Sequence, residues 1–116
     1  MKAITRKSEL ERELKKIIEI IKEKYLPEKI ILFGSLASGE INEYSDIDLL
    51  IIKKTDKKYW DRIDEFMSIV HPEEPLDVFI FTPEELEENV KKENPYILEI
   101  LNKGKVIYER ENRELD

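Results

Sequence analysis

The chain has 116 residues, 41% of them apolar and 41% charged, with a formal net charge of −7. That length and balance fit one globular domain spanning residues 1–116 with its own core. The absence of cysteine excludes a disulfide framework and thiolate metal sites, and the acidic balance disfavours broad electrostatic binding to nucleic acid.

Met1 to Lys7 reads as a loose lead-in. Ser8 with Glu11 fits a capping box, and Leu10, Leu14, Ile17, Ile18, Ile21 and Tyr25 recur at helical spacing. These predict a helix from about Glu9 to Tyr25, stopped by Pro27. A first strand follows over Lys29 to Phe33. Gly34 to Ser45 is a short helical or looped link, broken at Ser38-Gly39. The second strand is expected from Asp46 to about Lys53. Its Leu49, Leu50, Ile51 and Ile52 are apolar on both faces, which places it inside a sheet.

Lys53 to Lys58 is a polar turn. Trp60, Ile63, Phe66, Met67 and Val70 give an amphipathic helix that ends before Pro72, with Trp60 and Phe66 on its core face. Leu76 to Phe81 is the third strand. Thr82-Pro83-Glu84-Glu85 has the form of a helix start, and that helix runs to about Lys92, with Glu84 to Glu88 as a solvated face or one that meets a basic partner. Asn94-Pro95 breaks the chain, and a further helix runs from Pro95 to about Asn102. Its Tyr96, Ile97, Ile100 and Leu101 fit either core or interface. Gly104 closes it, and Lys105 to Glu109 is the fourth strand, followed by a polar tail.

The chemistry concentrates between Lys29 and Ile52. Alternate strand residues share a face, so Asp46 and Asp48 project together. Two anions on one face repel, and a divalent cation with hard oxygen ligands relieves them; magnesium suits. Gly34 at a strand exit lets backbone approach a ligand, and a helix starting near Ser35 favours a phosphate. Ten residues separate Ser35 from Asp46. For Gly34-Ser35 and the aspartates to share one site, the first two strands must run antiparallel. For Asp77 to join them, the third strand must run parallel to the second, with the intervening helix as crossover. The expected fold class is therefore α/β or α+β, a mixed four-stranded sheet flanked by helices.

Three converging carboxylates, Asp46, Asp48 and Asp77, could clamp two magnesium ions about 3.5–4 Å apart. One would sit on a triphosphate tail and the other would polarise an incoming hydroxyl. Asp77 could also take that hydroxyl's proton, while Ser35 and nearby backbone N–H groups hold the β- and γ-phosphates. The reaction so described is nucleotidyl transfer.

Gly34-Ser35, ten residues, Asp46-Ile47-Asp48, and Asp77 inside an apolar strand together resemble the polymerase-β-type nucleotidyltransferase superfamily. The short length resembles its smallest branch, the minimal nucleotidyltransferases, often antitoxin partners of HEPN-domain toxins. The resemblance is strongest from Lys29 to Phe81. It implies ATP as donor, magnesium as cofactor and a tyrosine on the partner toxin as acceptor. It also implies triphosphate binding by Gly34 and Ser35, and a metal and catalytic role for Asp46, Asp48 and Asp77. One departure stands out: many relatives carry an arginine after Gly-Ser, whereas here Leu36, Ala37 and Ser38 follow, with no basic residue before Lys53. The chain has no room for a second substrate-gripping domain, so another protein is expected to complete the acceptor site. The alternative is an idle site in an antitoxin that neutralises its partner by occlusion. No apolar run approaches the roughly 20 residues of a membrane span and no signal peptide opens the chain, so the expected location is cytoplasmic, without a membrane partner.

Overall fold

The computed structural model describes residues 2–111, with side chains from residue 5 onward. Helix α1 covers Lys2–Ile20 and passes into a π-helical turn over Ile21–Tyr25. The helix starts well before the expected lead-in ends, and Ser8 lies inside it instead of capping it. Tertiary contact explains the difference: Arg6 in the first turns donates to Ser45 O and to Glu74, so the early turns are held onto neighbouring loops. Leu26 then takes a left-handed conformation and donates to Ile21 O at 3.0 Å, which ends the π-turn ahead of Pro27.

The sheet contains β1 (Lys29–Phe33), β2 (Ile47–Ile52), β3 (Leu76–Phe81) and β4 (Lys105–Glu109), in the order β3-β2-β1-β4. β1 is antiparallel to β2 and to β4, while β2 and β3 are parallel. Helix α3 (Tyr59–Val70) is the crossover that the parallel pair requires. This is the mixed α+β arrangement expected from the shared-site argument.

β2 lies between two strands, and Leu49, Leu50, Ile51 and Ile52 are buried on both of its faces. Leu49 and Ile51 join Ile30, Leu32 and Ile80 under α1 and α3, against Leu10, Ile17, Tyr25 and Phe66. Leu50 and Ile52 join Ile31 on the other face, against Ile97 and Ile100 of α5 (Pro95–Lys103) and Leu86 of α4 (Pro83–Lys91). Strand alternation puts Asp48 on the α5 face, at the mouth of β2.

Trp60 does not belong to the core; it is 73% exposed. The inward stripe of α3 runs through Arg62, Phe66 and Val70. Trp60 is two residues from Arg62, about 200° around the helix, and so faces solvent. Arg62 donates to Ile80 O at 3.0 Å and forks onto Glu85. Glu85 completes the capping box with Thr82, so the acidic stretch on α4 is anchored at this residue instead of being wholly solvated. No described helix is long and apolar enough to cross a membrane.

Candidate active site

The site forms where β1 ends and β2 and β3 begin. Register places Phe33 opposite Asp48, and Asp48 beside Asp77. The next residue in β1's direction, Gly34, has φ 76° and ψ −159°. A Cβ there would lie 2.0 Å from Asp48 Oδ2. Glycine is therefore required twice, by the backbone conformation and by the carboxylate packed against it. Helix α2 (Ser35–Ser38) is a single turn, closed by Ala37 and Ser38 N–H groups donating to Gly34 O at 3.1 and 3.0 Å. So short a helix carries little dipole.

β2 begins at Ile47, so Asp46 stands in the bend before it rather than within the strand. The bend is fixed from several sides. Ser45 is buried; its Oγ accepts from Asn42 N at 2.9 Å, and its carbonyl accepts from Arg6 Nε at 3.1 Å. Ile47 N donates to Pro75 O at 3.1 Å, which ties the lead-ins of β2 and β3 together. On the β3 side, Arg6 Nη1 binds Glu74, Glu13 accepts from Glu73 N, and Lys16 bridges Glu13 and Glu73. Three side chains of α1 thus pin the two loops that deliver Asp46 and Asp77.

One carboxylate oxygen from each of Asp46, Asp48 and Asp77 lies within 4.8 Å of the others. Asp46 and Asp48 are half-buried, and Asp77 is exposed. Burial, then the neighbouring Asp46 and Asp77, push Asp48 from its ordinary value up to about 7. Burial, then Asp77, also raise Asp46. Among the described residues no lysine or arginine forms an ion pair with any of the three. Three hard oxygen donors that repel one another, with no protein cation between them, fit a divalent ion of the magnesium type.

A cleft of about 530 Å³ opens beside this cluster, a size suited to a small ligand. Gly34, Ser35 and Asp48 line it together with Tyr96, Glu99 and Lys103 of α5. Tyr96 packs edge-on to Phe33 and Phe79, at centroid distances of 6.4 and 5.7 Å. Burial, then the charges of Asp48 and Asp77, hold its hydroxyl above the ordinary tyrosine range. The sequence offers Tyr96 only as core or interface and marks nothing at Glu99 or Lys103. Their spacing marks one helix face, but only the packing of Ile97 and Ile100 on β1 and β2 shows that this face borders the cleft.

A Gly-Ser turn and a carboxylate cluster at one end of a mixed sheet define a nucleotidyltransferase. The family model described as "Polymerase beta, Nucleotidyltransferase" matches residues 15–113, and the chain belongs to that family. Two relatives from Methanocaldococcus jannaschii, both provisionally named protein adenylyltransferases, are 39% identical over 87 residues and 32% identical over 90. The alignments cover 72% and 78% of this chain, and 59% and 85% of the relatives' own lengths. A crystal structure from Sulfolobus solfataricus, provisionally named a nucleotidyltransferase, shares the fold at a TM-score of 0.62 and 20% identity, over 95% of this chain and 89% of that one. A toxin–antitoxin crystal structure with AMP-PNP shares it at a TM-score of 0.51 and 20% identity, over 84% and 73%.

Proposed function

We propose that the protein is a magnesium-dependent adenylyltransferase. It moves AMP from ATP to a tyrosine hydroxyl on a HEPN-type toxin and so acts as that toxin's antitoxin in the cytoplasm. The observation that carries this reading is the convergence of Asp46, Asp48 and Asp77 beside Gly34-Ser35. The names of the M. jannaschii relatives support adenylyl transfer, and the toxin–antitoxin structure with AMP-PNP supports a nucleotide and a toxin partner.

In this reading Asp46, Asp48 and Asp77 would hold the two magnesium ions expected from the sequence, which would supply neutralisation of the triphosphate and of the leaving pyrophosphate. The bare backbone of Gly34 admits the phosphates, and Ser35 Oγ donates to a phosphate oxygen. The acceptor oxygen attacks the α-phosphorus, and the bond to pyrophosphate breaks. A carboxylate oxygen of Asp77 takes the acceptor's proton. Asp77 is the exposed member of the cluster, so a hydroxyl presented by another protein can reach it.

The test uses ATP labelled at the α- or the γ-phosphate, magnesium, and the product of the adjacent gene. Label from the α-position is expected on a partner tyrosine, with none from the γ-position. A folded partner that stays unlabelled overturns the reading. Occlusion is the second reading, favoured by the lack of a basic side chain between Ser35 and Asp46. It requires the folded Asp46→Ala, Asp48→Ala double variant to neutralise the toxin fully; catalysis requires that variant to fail.

A further inference from the structure

A triphosphate tail needs positive charge beside it, and the stretch from Leu36 to Ser45 supplies none. Leu36 and Ala37 are buried in the core as well, so α2 presents only small polar groups to the cleft. Among the described residues lining that cleft, Lys103 is the one cation, set against Glu40, Asp48 and Glu99. It stands on α5 and shares the lining of the cleft with Gly34 and Ser35.

The resting state of Lys103 is suited to exchange. Its Nζ lies 3.3 Å from Glu99 Oε2, one turn back on the same helix, and the two side chains are 73% and 62% exposed. An exposed pair of this kind contributes little and is easily exchanged for another partner. The backbone beneath Lys103 is held firmly. Ile97 and Ile100 are buried against β1 and β2, and the next residue, Gly104, sits so close that a Cβ would lie 2.5 Å from Ile100 O and 3.0 Å from Leu32 O. Lys103 therefore combines a fixed base, packed near the end of β1, with an ammonium group on a flexible stem.

We propose that Lys103 is the cationic contact for the terminal phosphates of the bound nucleotide. It leaves Glu99 for the triphosphate and fills the role for which the link after Ser35 has no basic residue. The inference rests on the nucleotidyl-transfer reading and adds a selectivity: nucleoside triphosphate over monophosphate. Glu99 acts as a weak competitor that holds the ammonium when the cleft is empty.

Calorimetric titration of the full chain with the magnesium complex of AMP-PNP, and separately with AMP, tests it. Lys103→Met is expected to weaken AMP-PNP binding by about tenfold to a hundredfold, the range for losing a charge-assisted contact. It should leave AMP binding within about twofold of wild type, since the terminal phosphates are absent there. Lys103→Arg should restore most of the loss, and Glu99→Gln should tighten AMP-PNP binding. Because Lys103 is exposed, all three variants should melt like the wild type. Equal AMP-PNP affinity in wild type and Lys103→Met overturns the inference while leaving nucleotidyl transfer intact. A wild type that binds no AMP-PNP at all overturns both.

Discussion

A methyl group at Gly34 would meet the Asp48 carboxylate at 2.0 Å, in a backbone region that side chains rarely enter. Gly34→Ala is therefore expected to displace Asp48, to cost about 1–3 kcal/mol of stability, and to lower AMP transfer by at least about a hundredfold. Thermal melts and the labelled-ATP assay read the two effects separately. Asp48 carries a pH signature. Its carboxyl titrates near 7 in the folded chain against an ordinary value of 3.8, so between those values the folded state keeps a proton that the unfolded state has lost. Stability of the metal-free chain must then fall as pH rises from about 4 to 7. Magnesium competes with that proton, so the stabilisation by magnesium should grow over the same window. Asp48→Asn removes both effects: without metal it should match the wild type only below about pH 4 and exceed it by a growing margin up to about pH 7, with little response to magnesium. Melts with and without a chelator across that range check the sign. The nearness of Gly34-Ser35 to Asp46 and Asp48 was legible because the ten-residue spacing is a local fact, although Asp46 stands before β2 and strand alternation does not place it; Asp77 came in only through the parallel direction required of β3. The steric bond between Gly34 and Asp48 was not legible, because it depends on the register of two strands.

Helix α1 does more than cover the sheet. Arg6 reaches both loops that deliver the aspartates, through Ser45 O on one and Glu74 on the other. Arg6→Ala should therefore loosen the placement of Asp46 relative to Asp77. The expected result is about tenfold weaker divalent-ion binding, the range seen when an outer partner of a metal ligand is removed. Manganese titration followed by electron paramagnetic resonance measures this directly, and unchanged affinity would count against the clamp. The sequence placed the start of α1 too late because Ser8 and Glu11 make a plausible local cap, whereas the real start is set by Arg6, Glu13 and Lys16 meeting distant loops. Trp60 was misplaced for a similar reason: the buried stripe of α3 includes Arg62, whose charge is met by Glu85 of α4, and a charged residue does not read as core. The strand directions, by contrast, followed from requiring two motifs to share one site.

At the scale of the molecule, one end of the sheet gathers the carboxylates, the Gly-Ser turn and the α5 face, while the apolar layers on both sides hold these pieces in register. In the proposed reading, the exposed position of Asp77 leaves the acceptor side open to another protein. The role of α5 could not be read from its own residues, since a stripe of isoleucines shows that a helix packs but not what its neighbouring polar face borders. The proposed transfer depends on the three aspartates holding a divalent ion next to the triphosphate. Anomalous scattering from crystals grown with manganese and AMP-PNP tests that most directly. The account predicts a manganese peak bounded by the carboxylates of Asp46, Asp48 and Asp77, with the terminal phosphates of the nucleotide between Ser35 and Lys103. Nucleotide bound in the cleft with no manganese at the aspartates, or with the metal at another place on the chain, would contradict it.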